Sequence, residues 1–399
     1  MSFRLLFISV LFPLTLHASF IESTMGTAVV NDATATYHNP AALMLSKDTQ
    51  WIALGSYAHF SSEFTGRSVS LFSGKTQSGY SKGHDDYYLP SLYVVTPIQD
   101  KIRVGFAVVS DILNSSNNET SILRYIKSNN QIENIDFIPG LGFQINPYLS
   151  IGAGFIYSHA RFISNAMIEL QHFNMPDSQR HNVTMDDSYG GSVGFVIKPA
   201  ASTLIGFNYR SALSYQFHGK SYFNGTPSIV SSNYNFNFWT PPRSVLTMSH
   251  FVTPNTGFIS TVQFVEWGIF KNVTAHGIAT QMSQESMVLS QTVIPYHFHD
   301  SWILTLGGIQ SITPTWVVRL AGTYNQSPSN GNYQITSGDG LIVGASMGYE
   351  FYKNMMIDAS YAHTFIKNQK VTIDSRNSLT TGVNRGHGDA VSLKLTLNI

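Results

Sequence analysis

The chain closes on Val391-Ser392-Leu393-Lys394-Leu395-Thr396-Leu397-Asn398-Ile399, in which every second residue is apolar. A period of two places one set of side chains on each face of a β-strand. The same pattern sets Ile102, Val104, Phe106 and Val108 against Lys101, Arg103, Gly105 and Ala107. It also sets Trp316, Val318, Leu320 and Tyr324 against Val317, Arg319, Ala321 and Thr323. Only 12% of the residues are charged, against roughly 25% in an average soluble domain. This points to a membrane, yet beyond residue 18 no apolar run is long enough for a spanning helix, which needs about 18 residues. A closed β-barrel is the remaining way to satisfy the backbone in lipid. Arg319 or Lys394 would each cost ~2–4 kcal/mol facing lipid at mid-depth, so both are expected to point into a partly polar lumen.

Candidate strands fall near 50–60, 87–97, 101–110, 134–146, 149–163, 188–198, 203–217, 234–253, 257–267, 300–311, 315–325, 340–351, 354–366 and 387–399, an even fourteen. Short turns such as Asn146-Pro147-Tyr148, Lys198-Pro199-Ala200 and Thr253-Pro254-Asn255 alternate with longer polar segments at 61–86, 111–133, 164–187, 218–233, 268–299, 326–339 and 367–386. Short periplasmic turns and long outer loops give this alternation, with both termini in the periplasm. A soluble β-sandwich does not require it. The expected class is therefore all-β: a 14-stranded antiparallel transmembrane β-barrel in the outer membrane.

Arg4, the apolar run Leu5 to Leu16 and His17-Ala18-Ser19 read as a secretory signal over residues 1–18. Residues 19–48 form a separate N-terminal segment and 49–399 the barrel. Within the former, Asn39 is a suitable N-cap, Pro40 suits the first helical position, and Ala41 to Leu45 continue a short apolar helix. Fourteen strands enclose more space than their own side chains fill, so an empty lumen would leak. The apolar helix is the natural plug, with Asp32, Asn39, Pro40 and Ala41 as the plug or gate residues. The bland alternative makes Asn39-Pro40-Ala41 a strand leader.

Other motifs point to weaker chemistry. Gly79-Tyr80-Ser81-Lys82-Gly83, with His84 and Asp85 behind it, matches the letters of a nucleophile elbow but has polar flanks read as loop instead of a strand and a helix. His297 and His299 would share a strand face beside Asp300, yet two histidines without a placed third ligand make a weak metal motif. Tyr234, Phe236 and Phe238 alternate with asparagines. They read first as a membrane-interface girdle, and second as contacts for an apolar ligand. Pro90 and Pro241-Pro242 mark breaks in the wall. A formal net charge of +0 argues against a nucleic-acid surface, and the absence of Cys excludes disulfides and thiol metal sites. No cofactor is called for.

Gly26-Thr27-Ala28, Asn31-Asp32-Ala33-Thr34 and Asn39-Pro40-Ala41 resemble the N-terminal plug of the FadL family of outer-membrane transporters for long-chain fatty acids and other hydrophobic compounds. Support runs through Pro90–Lys101, Asp186–Gly190 with Tyr209-Arg210-Ser211, Thr240-Pro241-Pro242, Phe264–Trp267 and Phe298–Trp302. The resemblance implies a plugged, fourteen-stranded, non-enzymatic barrel for passive uptake of a hydrophobic small molecule, monomeric among outer-membrane lipids. Rival readings are a general diffusion porin, which predicts an open lumen, and an outer-membrane hydrolase acting through Ser81.

Overall fold

The computed structural model describes residues 28–71, 73–110, 113–118, 122–125, 129–282, 284–374 and 378–399; the expected signal segment lies outside them. Among the described residues, hydrogen-bonded segments join into one closed antiparallel sheet of fourteen wall strands. These are β1 (Gln50–Ser70), β2 (Thr76–Gln99), β3 (Ile102–Val109 and Leu113–Asn118), β4 (Asn129–Asn146), β5 (Leu149–Ile168) and β6 (Ser178–Ala200). There follow β7 (Thr203–Arg210 and Leu213–Phe223), β8 (Ile229–Thr240 and Arg243–Thr253), β9 (Thr256–Val265 and Asn272–Gln281) and β10 (Ser286–Pro295 and Ser301–Ser311). The ring is completed by β11 (Trp316–Asn325), β12 (Gly340–Tyr352), β13 (Met355–Asp374) and β14 (Ser378–Asn398), which pairs with β1 from Gln50↔Asn398 to Ser70↔Ser378. Closure leaves no exposed strand edge.

The alternation of side chains sorts as expected near the short turns. Leu92, Val104, Phe106, Leu320, Leu393 and Leu395 are exposed on the outside, while Gly105, Ala107 and Ala321 are buried inside. An exposed apolar belt of this extent is a lipid-facing surface. Trp51, Tyr148 and Tyr352 flank it at one end, and outward-facing Tyr57, Tyr88, Tyr189 and Tyr361 at the other. Arg319 and Lys394 both turn into the lumen.

The expected long outer loops are largely wall. β1 continues to Ser70 and β2 starts again at Thr76, so the segment 61–86 is nearly all paired strand. The period-two pattern of burial persists there, but above the lipid the outward residues are polar as well, which erases the hydropathy contrast. The segment 326–339 is free of helix and strand, as expected of a loop. Pro241-Pro242 does interrupt β8. β2, by contrast, runs straight through Pro90, and the interruption lies in its neighbour β3, after Val109.

Candidate functional site

Residues 28–46 fold inside the ring. An α-helical turn, Ala35–His38, leads into a 3₁₀ helix, Pro40–Leu45, and Ala35 to Leu43 are buried throughout. Asn39 is extended and caps the second helix, its side-chain oxygen accepting from the Ala41 N–H at 3.2 Å. Its amide nitrogen donates to the carbonyls of Ala28 at 2.7 Å and Phe195 at 3.3 Å, so one side chain caps the helix and joins it to the wall. Pro40 occupies the first helical position, where its missing N–H costs nothing. The Ser150 hydroxyl donates to the Ala41 carbonyl at 3.0 Å, and Arg103 Nε donates to the Ser46 carbonyl at 3.1 Å.

Glycines make room for this segment. A Cβ on Gly152 would lie 2.3 Å from the Ala41 nitrogen, one on Gly194 2.2 Å from the Asn39 side-chain oxygen, and one on Gly206 2.1 Å from the Ala28 carbonyl. On Gly105 it would meet the Thr36 hydroxyl at 2.3 Å. Such approaches admit no side chain. The glycines line β3 to β7, and nothing local in the sequence marks them, because an inward glycine has a role only once the plug's backbone is placed beside it.

Two charged anchors, one on each side, hold the plug. Tyr37 lies under the guanidinium groups of Arg210 (4.5 Å from the ring centroid) and Arg243 (5.2 Å), and its hydroxyl accepts from Arg243 at 2.8 Å. Arg210 is held in turn by buried Asp136 at 2.6 Å. On the other side, Asp32 accepts from Lys394 Nζ at 2.9 Å, Lys394 stands 4.0 Å from Asp358, and Asp358 pairs with Arg319 at 2.6 Å. This chain borders a cavity of about 160 Å³ between the plug and the inner faces of β7–β14 and β1. The other oxygen of Asp32 accepts from the Thr34 N–H at 3.0 Å.

Away from the charged chain, the plug merges with a stack of rings. Tyr234 and Phe236 are buried in one apolar cluster with Tyr37, Ala41 and Leu43 of the plug, and partly buried Phe238 packs against it. Phe217 packs 5.1 Å from Phe236, Phe162 packs 5.4 Å from it, and Phe238 packs 5.2 Å from Phe270. The girdle expected of Tyr234, Phe236 and Phe238 is therefore corrected: they face the lumen. The interruptions of β9 and β10 bring Trp267, Phe270 and Phe298 into the same cluster. On the lumen face of β6, outward of the membrane level, Arg180 is fully buried, and burial pulls its guanidinium down to about 10. Nearby Tyr234 is pushed up from its ordinary value, first by burial.

The weaker motifs separate. Ser81 lies within β2, not in a loop, and Ser81 and His84 stand on opposite faces of that strand. His297 has left-handed backbone (φ 48°) in a connection outside the strands, so it does not share a strand face with His299. Among the described residues no group of His, Cys, Asp and Glu is arranged to hold a metal ion.

The sequence matches the family model for outer membrane protein transport proteins (OMPP1/FadL/TodX) over residues 23–398. The chain belongs to this family. This OMPP1/FadL/TodX member is accordingly an outer-membrane transport protein, in a family of transport proteins and not of enzymes. No curated protein sequence matches it. Among solved structures, a Pseudomonas aeruginosa FadL homologue superposes with a TM-score of 0.85 at 19% identity, covering 98% of this chain and 100% of its own. The P. putida toluene transporter TodX gives 0.71 at 13% identity (97% and 99% covered), and the Ralstonia pickettii toluene transporter TbuX 0.67 at 14% (97% and 99%). At these identities the likeness shows the fold.

Proposed function

We propose that this barrel, as a monomer, carries long-chain fatty acids or similar apolar molecules passively inward across the outer membrane, without catalysis. The observation that carries the reading is the ring cluster of Tyr215, Phe217, Tyr234, Phe236 and Phe270, buried in the lumen and continuous with the plug. Apolar rings in a lumen offer a path to a hydrophobic molecule and an obstacle to a hydrated one. That supports an apolar cargo over a general porin. Tyr234, Phe236 and Phe238 take the cargo's chain, and Arg180, buried at the outer end of the same lumen, takes a carboxylate head. Relatives named as toluene transporters widen the class to aromatic hydrocarbons, for which no head-group partner is needed.

Asp32, Asn39, Pro40 and Ala41 act as the gate: release requires the plug to leave its cap and its glycine cradle. A deletion strain should take up oleate several-fold more slowly, with the gene restoring it. Arg180→Met should lower oleate uptake while leaving toluene uptake unchanged. Equal oleate uptake with and without the gene, together with slower entry of a small sugar, would favour the porin. For the gate, Asn39→Ala with Pro40→Gly removes a cap worth about 0.5–2 kcal/mol. The variant should still form a heat-modifiable barrel, but with raised conductance in planar bilayers; unchanged conductance and transport would show that these residues are no gate.

A further inference from the structure

Between Arg180 and the ring stack, the lumen wall carries a belt that the uptake of a plain fatty acid leaves unused. Cross-strand register sets Asn130, Ser164, Asn182 and Ser221 side by side on the inner faces of β4, β5, β6 and β7. All four are buried, Asn182 and Ser221 completely. The Ala279 N–H donates to the Ser221 hydroxyl at 3.0 Å, which brings Ala279 and buried Thr280 of β9 to the end of the belt. The row outward of it is Ala166, Arg180 and Phe223, and the row toward the membrane is Ile132, Phe162, Thr184 and Gly219. Phe162 already belongs to the ring stack through Phe217 and Phe236. From the mouth inward, the order is therefore a guanidinium, a belt of amides and hydroxyls, the rings and the plug.

The belt's polar atoms are largely idle. Among the described residues, the Asn182 side chain has no hydrogen-bond partner at either its oxygen or its nitrogen, and the hydroxyls of Ser164 and Thr280 have none. Buried polar groups are otherwise paired almost without exception, because one stripped of water and left alone is destabilising. Thr184, one row down, shows the ordinary solution: its hydroxyl donates to the Phe162 carbonyl at 3.3 Å. A carboxylate only accepts, so a plain fatty acid held by Arg180 cannot serve the Asn182 oxygen. The group that serves it must donate.

The cover over this region can yield. Leu170, Phe173 and Met175, from the connection between β5 and β6, pack in one apolar cluster with Phe223 and Ala279, and the Gln281 side-chain amide reaches the Met175 sulfur at 3.2 Å. Phe223 is the cross-strand neighbour of Arg180. Methionine is unbranched and repacks readily, so this cover has a part that can shift for a ligand.

Resting on the fatty-acid reading given above, we propose that the preferred cargo is a long-chain acid that carries a neutral hydrogen-bonding group, a hydroxyl or an amide, within a few atoms of its carboxylate. The carboxylate meets Arg180. The neutral group donates to the Asn182 oxygen and accepts from the Asn182 nitrogen or from the Ser164 and Thr280 hydroxyls, and the tail continues along Phe162, Phe217 and Phe236. Two residues along one strand stand about 6.6 Å apart, which sets the neutral group close to the head and not far down the tail.

The test is displacement of tritiated palmitate from the detergent-purified protein by unlabelled palmitate, 3-hydroxypalmitate and N-palmitoylglycine. At least one of the two substituted acids should compete about tenfold better than palmitate, since a site built to hydrogen-bond a substrate group discriminates against the analogue lacking it. Which of the two does so tells hydroxyl from amide. In Asn182→Leu that advantage should disappear. Should this variant fail to give a heat-modifiable barrel, the order of the three competitors on the unaltered protein decides alone. Palmitate competing as well as both substituted acids, or an advantage that survives Asn182→Leu, overturns the inference and leaves the fatty-acid reading standing. Palmitate that does not bind at all sinks that reading and this inference with it.

Discussion

Several plug residues, among them Asp32, Tyr37, Asn39 and Ala41, are fixed by partners far away in sequence. Tyr37 is gripped by Arg210 and Arg243, and cation–π contacts of about 0.5–2 kcal/mol each plus a hydrogen bond of about 1 kcal/mol make it the strongest single tether. Tyr37→Ala should therefore raise planar-bilayer conductance at least as much as loss of the Asn39 cap. A Tyr37→Ala channel as quiet as the parent would assign the tethering elsewhere. Gly152→Val should expel Ala41 from its seat and open the channel, whereas Gly322→Ala, where a Cβ meets nothing within 4 Å, should be silent in the same assay. Lys394→Met leaves Asp32 and Asp358 facing a cavity without their shared cation; loss of about 1–3 kcal/mol of plug docking is expected, read as faster protease cleavage near residue 30. The sequence shows that Lys394 and Arg319 must point inward, because lipid forbids the alternative. It does not show that they converge on Asp32, since nothing local links a strand near the C-terminus to a turn near the N-terminus.

For whole elements, legibility follows the solvent. The half of each strand that faces lipid announces itself by alternating apolar residues, and the expected strand positions near the short turns agree with β1 to β14. The outer half is hard to read from hydropathy because its outward face is polar and its inward face mixes polar with apolar residues, so β1 from Ser61 to Ser70 reads as loop although every residue is paired. The aromatic alternation of β8 is legible, but the face it occupies is not: apolar residues that point outward within the lipid point inward above it. The Asn39-Pro40 helix start is local chemistry and is read correctly. Strand bounds now set the topology test. An epitope inserted at Gly74-Lys75, between β1 and β2, should be reached by antibody on intact cells, while one at Asn255, between β8 and β9, should be reached only after permeabilisation; the reverse result would invert the barrel.

At the scale of the molecule, the proposed function divides the labour among fourteen strands, an internal segment and a ring-lined interior: the wall would provide the span, the plug the seal, and the rings the affinity. Because the ladder hydrogen bonds of the wall run from strand to strand and not to the plug, variants that loosen the plug should keep the heat-dependent electrophoretic shift of a folded barrel. A plug variant that loses this shift would show that seal and span are one structure. The height of the wall has a further consequence. β1 runs from Gln50 to Ser70 and passes its outer tyrosine at Tyr57, so thirteen residues, Ala58 to Ser70, continue past the lipid boundary, and at about 3.3 Å per residue and a tilt near 40° they rise roughly 30 Å. The mouth thus opens at the height of the hydrated sugars that coat a bacterial surface. A lipophilic molecule meeting that coat from the medium is repelled by it, and a chimney whose lip clears much of the sugar replaces a slow partition through carbohydrate with a single encounter in open water.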